Sequence, residues 1–158
     1  MRTTFLREEA RVKGHCQLRV VGMTERLTVP CVGAVVRADD GRLLMIRRGN
    51  PPGAGLWSLP GGRVIAGETD SEALAREVRE ETGLVVEVGS LLGSVERDGV
   101  SGEVFLIRDY ACLVTGGTLR AGDDAVDARW VSDDELRGLP TTWGLLDTLD
   151  SWGVLRLS

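Results

Sequence analysis

The chain has 158 residues, of which 42% are hydrophobic and 27% charged, a size and composition that fit one folded domain and exclude a disordered chain. Its formal net charge of −5 excludes bulk binding to nucleic acid, because no overall positive field attracts phosphates. No apolar run approaches the roughly 18 residues of a membrane helix, so no membrane partner is expected.

Residues 1–28 are the least informative segment, because charged and apolar residues are mixed there without a clear period. We interpret them as an N-terminal extension packed on the domain, with a partner-binding or dimer-swapping arm as the alternative. Residues 29–158 then form the domain itself. Cys16, Cys31 and Cys112 lie far apart and lack a CxxC spacing, which indicates free thiols in a reducing cytoplasm.

Two aliphatic runs flank Asp39-Asp40-Gly41 in the stretch VPCVGAVVRADDGRLLMIRR. Glycine adopts positive φ at low cost, so this pattern predicts two antiparallel strands joined by a hairpin turn. Residues 50–55 (NPPGAG) are a predicted loop, and the short apolar stretch LWSL at 56–59 is stopped by a Pro-Gly-Gly sequence.

The stretch GRVIAGETDSEALAREVREETGL at residues 62–84 carries the strongest helix signal. Thr69 and Glu72 have the spacing of a capping box, two apolar residues four apart provide a buried stripe, and Gly83 is a stop signal. These features predict a helix of about 13 residues that begins after Thr69.

Three acids of this helix, Glu77, Glu80 and Glu81, are spaced i, i+3 and i+4 and therefore share one face. A solvated face would tolerate them, since repulsion costs only a few tenths of a kcal/mol per pair. They lie beside the apolar stripe and behind a glycine-rich loop, however, and carboxylates clustered at the edge of a core require a cation. Hard oxygen ligands of this kind suit Mg²⁺.

Downstream, residues 84–99 and 102–117 are predicted strands separated by a turn around Asp98-Gly99, and 128–131 (ARWV) is a further strand. The sequence SDDE at 132–135 predicts a capping box that opens a short helix. A last helix is predicted from about Thr142, with Trp143 as the first member of its apolar stripe. This order of elements predicts an α/β fold, a mixed β-sheet covered by helices.

The stretch at residues 62–84 also resembles the signature motif of a known protein family. Gly62, Glu68 and REVREETGL at 76–84 match the Nudix box at every specified position, including the two aliphatic ones. LWSLPGG at 56–62 and ARWV at 128–131 are also similar to Nudix hydrolases, so the resemblance covers about residues 29–150. It implies a Nudix-type α/β/α sandwich with a mixed β-sheet, in which the box forms a loop–helix–loop.

The resemblance also implies a reaction. Nudix hydrolases cleave the pyrophosphate link of a nucleoside diphosphate derivative with water and a divalent cation, usually Mg²⁺, for which Mn²⁺ can substitute. Several positions match the family's direct metal ligands: the Gly62 carbonyl, Glu80 and Glu81. Glu77 matches the acid that either ligates metal or orients and deprotonates the water, whereas Glu68 and Arg76 match residues that hold loop and helix together.

Outside the box, the MutT-type pattern places a further catalytic acid at Asp124, with Asp123 and Glu103 as weaker candidates. The alternative for each is a solvated loop acid. Arg47 and Arg48 end a strand that runs toward the site, and a guanidinium binds phosphate bidentately. Strand residues alternate between faces, so only one of the two arginines can face the site, and surface charge is the alternative for both.

The substrate is less well specified. The proline or tyrosine that some Nudix branches carry about sixteen residues beyond the box is missing around Gly99, and LPTTW at 139–143 lacks the asparagine with which MutT-type enzymes read an oxidised purine. The box and its surroundings thus carry no substrate tag, and the leading expectation is a Mg²⁺-dependent pyrophosphohydrolase of ADP-ribose-like or related nucleoside diphosphate compounds. The alternatives are a (d)NTP pyrophosphohydrolase and a catalytically silent nucleotide-binding module. Many relatives pair, so a homodimer is a further expectation.

Two tryptophans are candidate stacking partners for a base. Trp57 and Trp143 both have the necessary ring, but tryptophan usually buries most of its area, so packing in the core or on a helix is the favoured interpretation for each.

Overall fold

The computed structural model describes residues 25–122 and 124–156. Most of the predicted N-terminal extension, together with Cys16 and Asp123, lies outside these residues. Within them the elements follow in this order: β1 Thr28–Val36, β2 Leu43–Arg48, β3 Trp57–Ser58, β4 Gly61–Arg63, α1 Asp70–Thr82, β5 Leu84–Asp98, β6 Val104–Gly117, β7 Ala125–Val131, α2 Asp133–Gly138 and α3 Leu145–Ser151. None of the helices in these ranges has the length and apolarity to cross a membrane.

The strands form two sheets instead of one. The first sheet has the order β4-β1-β6-β5. It is mixed, because β1 and β6 are parallel, whereas β1 with β4 and β5 with β6 are antiparallel. The second, β3-β2-β7, is antiparallel. The prediction of an α/β fold with a mixed β-sheet is confirmed.

The turn between β1 and β2 is where the structure departs from the predicted hairpin. Gly41 has φ +87°, as the turn requires, but only Arg37 and Leu43 form a bridge across it. Beyond that bridge the two strands diverge into different sheets, so the prediction of a paired hairpin was wrong. β1 pairs with β4 and β6, and β2 pairs with β3 and β7, which a local turn pattern does not reveal.

Two hydrophobic clusters hold the elements together. One surrounds α1 and includes Val32, Ala34, Leu74 and Val78, all at most 2% exposed. The other surrounds α2 and α3 and includes Val35 from the opposite face of β1. Because strand residues alternate, β1 supplies both clusters and is the central strand of the fold.

Helix α1 follows its prediction closely. The Thr69 hydroxyl accepts the amide of Glu72 at 3.2 Å, and the Glu72 carboxylate accepts the amide of Thr69 at 2.8 Å, which completes the capping box. Gly83 ends the helix at φ +72° with its N–H donated to Arg79. The capping box of α2, formed by Ser132 and Glu135, is also confirmed.

The last helix differs from its prediction. It begins at Leu145, three residues later than expected, and Gly144 precedes it in a left-handed conformation. Leu149 is fully buried as predicted, but Trp143 lies outside the helix with 85% of its surface exposed. The interpretation of Trp143 as a packing residue was therefore wrong, whereas Trp57 is buried in the core as expected.

A candidate active site where helix α1 meets strand β4

Arg76 is the centre of an ion-pair network on α1. Its Nε and Nη2 donate to the two carboxylate oxygens of Glu68 at 2.7 and 3.0 Å, and Nη1 donates to Glu77 at 2.7 Å and to Glu80 at 3.3 Å. Nη2 also donates to the carbonyl of Arg63 at 3.2 Å. The network joins the loop after β4 to the helix and fixes two of its three acids.

Glu68 closes that loop on itself as well. One of its oxygens accepts the amide of Ile65 at 3.0 Å while both face Arg76. These bonds favour the charged form of Glu68, so they hold its pKa below its ordinary value. The carboxylates of Glu68 and Glu77 in turn raise the pKa of the Arg76 guanidinium. Both groups therefore remain ionised.

Glu81 is the buried acid of the site. It is 6% exposed and accepts the amide of Gly61 at 2.8 Å. Burial raises its pKa to about 8, the nearby charges of Glu77 and Asp124 add to this rise, and the Gly61 amide and Arg48 oppose it. Within the described residues Glu81 makes no ion pair, so no cationic side chain in direct contact offsets the cost of ionising it.

Two glycines make the approach of the acids possible. A Cβ on Gly62 would lie 2.5 Å from the carboxylate carbon of Glu77, and a Cβ on Gly61 would lie 2.1 Å from the carbonyl oxygen of Val32. A side chain at Gly61 would clash with the backbone of β1, and one at Gly62 would displace the Glu77 carboxylate. The Pro-Gly-Gly stop therefore serves to bring the strand backbone against the acids of α1.

The register of β4 against β1 decides which glycine presents its backbone to the acids. Gly62 lies opposite Val32, and hydrogen bonds flank this pair on both sides, from Ala34 to Pro60 and from Val64 to Pro30. In an antiparallel ladder this alternation turns the N–H and C=O of Gly62 toward β1. Those of Gly61 point outward from the strand edge, where its N–H meets Glu81.

The loop between β6 and β7 brings Asp124 to the same place. The amide of Gly122 donates to the carbonyl of Glu81 at 2.9 Å, which attaches the loop to the end of α1. Asp124 is exposed, accepts a hydrogen bond from Nδ2 of Asn50 at 3.0 Å, and is close enough to raise the pKa of Glu81. Asn50 did not emerge from the sequence because it forms no motif with the box.

The remaining candidates predicted from the sequence, Glu103, Arg47 and Arg48, lie in different surroundings. Glu103 accepts the amide of Ser101 at 3.0 Å inside the turn between β5 and β6, so it has a local structural contact. Arg47 is exposed and donates to the carbonyl of Gly55 at 3.1 Å. Arg48 is half-buried, donates to the carbonyl of Pro52 at 2.8 Å, and acts electrostatically on Glu81. Arg48 is therefore the arginine on the side of the acids.

The oxygen donors at this site have the chemistry that Mg²⁺ prefers. Among the described residues no three acidic, histidine or cysteine side chains form a group that could hold a metal ion, and Glu77 and Glu80 both accept hydrogen bonds from Arg76. The buried Glu81 carboxylate without a counterion and the outward carbonyl of Gly61 fit a divalent cation, which would offset the cost of ionising that carboxyl.

Comparisons with known proteins identify the family of this chain. The NUDIX domain model matches residues 27–149. The ADP-ribose pyrophosphatase of Methanocaldococcus jannaschii is 43% identical over 104 residues, a match that covers 64% of this chain and 59% of that relative. The CTP pyrophosphohydrolase of Escherichia coli K12 is 31% identical over 128 residues, 81% of this chain and 93% of the relative.

Solved structures give the same result. The crystal structure of the MutT protein from Methanosarcina mazei Go1 superposes with a TM-score of 0.73 at 26% identity, covering 83% of this chain and 96% of that one. The Nudix box residues, the matching fold and the matched domain model lead to one conclusion: the chain belongs to the NUDIX domain family and is a Nudix hydrolase of MutT type.

Proposed function

We propose that the chain hydrolyses the diphosphate link of a small nucleoside diphosphate derivative with the help of Mg²⁺, for which Mn²⁺ can substitute. Membership in the family makes it an enzyme that acts on phosphoric anhydride bonds. The observation that carries the proposal is Glu81, a buried carboxylate without a counterion that is held against the edge of β4 beside Glu77. Burial keeps this carboxyl protonated up to about pH 8, and a bound cation would offset the cost of ionising it at neutral pH.

In the proposed site, Glu80, Glu81 and the outward carbonyl of Gly61 hold the cation, and the register of β4 favours Gly61 over Gly62 for the backbone ligand. When bound, such an ion neutralises phosphoryl charge and lowers the pKa of a coordinated water. Glu77, oriented by Arg76, is placed to ligate or to accept the proton of that water.

Two further residues have proposed roles around this centre. Asp124, oriented by Asn50, is a second candidate for the proton acceptor. Arg48 is held by the carbonyl of Pro52 on the side of Glu81, where its guanidinium is placed to bind a phosphoryl oxygen. Glu68 has no contact with the reacting atoms in this scheme, because its role is to fix Arg76 and through it Glu77.

For the substrate, the relative named ADP-ribose pyrophosphatase supports an ADP-ribose-like compound as the leading class. The relative named CTP pyrophosphohydrolase supports the alternative, a nucleoside triphosphate cleaved to the monophosphate. A catalytically silent nucleotide-binding module is a weaker alternative, because every acid of the box is present.

The direct test is a phosphate-release screen with Mg²⁺ over ADP-ribose, NADH, dinucleoside polyphosphates, nucleotide sugars and (d)NTPs. We expect hydrolysis of at least one class. Glu80→Gln and Glu81→Gln should each lower turnover at least about 100-fold, because each removes a charged oxygen ligand. Glu87→Gln, an exposed acid on β5, is the matched control and should retain full activity. Near-normal rates in both box variants would contradict the metal assignment, and nucleotide binding without turnover would favour the silent module.

We also propose a homodimer in the cytoplasm. Exposed apolar residues on the β5–β6 pair, Leu91 at 50% and Leu113 at 68% exposure, support a pairing surface there. Two buried free thiols, Cys31 and Cys112, are compatible with a reducing compartment. Light scattering during gel filtration tests the dimer, and a monomer at micromolar concentration would contradict it.

A further inference from the structure

A group of polar side chains outside the acid cluster ties the first turn of α1 to strand β6. Asp70, the first residue of the helix, accepts a hydrogen bond from Nη2 of Arg108 at 2.6 Å on one carboxylate oxygen. Its other oxygen accepts the hydroxyl of Tyr110 at 2.5 Å. All three side chains are half-buried. Arg108 and Tyr110 are two positions apart on β6, so both lie on the face that α1 covers.

The protonation states of the group suit these contacts. Burial acts to raise the pKa of Asp70, but the hydrogen bonds from Tyr110 and Arg108 outweigh it and hold that pKa below its ordinary value. The hydrogen bond to Asp70, together with burial, raises the pKa of the Tyr110 hydroxyl. At neutral pH an ionised carboxylate therefore receives a separate hydrogen bond on each of its oxygens, which fixes its position and its orientation.

Stability alone does not explain this attachment. Nε of Arg108 is buried and has no hydrogen-bond partner in the part of the chain that the structure describes, and an unsatisfied buried donor is costly to the fold. The middle of α1 packs on the sheet through the apolar residues Ala73, Leu74 and Val78, and apolar contact has no preferred direction. Hydrogen bonds to one strand fix what apolar packing leaves free, the position of the helix along the sheet.

The attachment lies in the same row of the sheet as the glycine that admits Glu77. Arg108 pairs with Val32, and Val32 pairs with Gly62, so the first and last of these are two strand spacings apart, about 10 Å. On the helix, Glu77 follows Asp70 by seven residues, which is about 10 Å along the axis and nearly the same face. The two separations match. The contact with β6 therefore sets the point at which Glu77 meets Gly62, whose missing side chain leaves room for the carboxylate.

We propose that Asp70, Arg108 and Tyr110 are positioning residues for the hydrolytic reaction. They fix α1 along the sheet and thereby hold Glu77 against Gly62; this inference rests on the proposed function for the role of Glu77. None of the three touches the reacting atoms, since they act only through the helix. Loss of one of their hydrogen bonds lets the first turn of α1 move on the sheet, and the displacement reaches Glu77 two turns later.

The test is a double-mutant cycle between this group and Glu77, with a substrate identified in the phosphate-release screen. Tyr110→Phe removes one hydroxyl and should lower kcat about ten-fold or more with KM changed less than about two-fold, because a misplaced Glu77 affects the chemical step. In a Glu77→Gln background the same substitution should lower kcat no further. Asp150→Asn is the matched control, since it breaks an arginine–carboxylate pair between α2 and α3 and should leave kcat unchanged in both backgrounds.

A second measurement needs no turnover. Nuclear magnetic resonance of the metal-free protein should show shifted amide resonances of Gly61 and Gly62 in Tyr110→Phe and Asp70→Asn, although β4 lies two strands away from β6. Asp150→Asn should leave these resonances in place.

Three results would overturn the inference: wild-type kcat in Tyr110→Phe, an equal loss of kcat in both backgrounds, or unshifted resonances of Gly61 and Gly62. Circular dichroism reports whether the variants fold, and Tyr110→Phe decides alone if Asp70→Asn does not. Failure of the hydrolase hypothesis looks different, because the resonances would shift while the phosphate-release screen stays silent, which would leave the positioning of Glu77 intact.

Discussion

Glu81 should make the metal-free protein less stable at neutral pH than a variant in which this side chain is neutral. The substitution Glu81→Gln keeps an oxygen that can accept the amide of Gly61 but removes the buried charge. The reason is the pKa of Glu81, which burial raises from its ordinary value of 4.5 to about 8.

The sign and size follow from proton linkage. Below pH 4.5 the carboxyl is protonated in both the folded and the unfolded chain, and Glu81 contributes no difference. As pH rises through 4.5 the unfolded chain ionises while the folded chain keeps its proton until about pH 8, so stability falls across this window. At about 1.4 kcal/mol per pH unit the loss reaches about 3 kcal/mol at pH 7 and about 5 kcal/mol above pH 8.

Urea unfolding of wild type and Glu81→Gln in the presence of a chelator, at pH 4.5, 7 and 9, measures this difference. Glu80→Gln is the matched control, since the same change occurs on the same helix at a side chain that is 56% exposed; its effect should stay within about 0.5 kcal/mol. Excess Mg²⁺ should restore the wild type selectively. The reasoning is refuted if Glu81→Gln is no more stable than wild type at pH 7, or if its advantage is the same at pH 4.5.

Three further predictions concern the scaffold around the acids. Gly62→Ala should lower kcat at least about ten-fold with the helix content unchanged, because its methyl group would displace the Glu77 carboxylate; unchanged kinetics would show that the strand can shift. Thr69→Ala should lower the free energy of unfolding by about 1 kcal/mol through loss of the helix cap, measured by urea titration, and an unaltered midpoint would contradict this. Arg76→Lys should weaken Mg²⁺ binding in calorimetry, because lysine cannot hold Glu68 with two parallel hydrogen bonds, and wild-type affinity would argue against the network.

Several elements could be predicted because their signals are local. The bounds of α1 follow from Thr69, Glu72 and Gly83, residues that act within one or two helical turns of the backbone they cap. The sequence predicts only the second half of the strand at Ala125–Val131, because its first residues lie in a glycine- and aspartate-rich stretch without alternation. The sequence predicts too early a start for the last helix, because Trp143 has the spacing of an apolar stripe and is nonetheless exposed.

The sequence by itself determined the family and the set of acids on one helix face, because helical periodicity and capping depend on residues at most a few positions apart. Only the tertiary structure decided which acid is buried, which glycine faces it, and which of Arg47 and Arg48 approaches it. Burial and strand register depend on contacts between residues far apart in the chain. The pairing that sets Arg108 beside Val32 joins residues 76 positions apart, and no local pattern reports it.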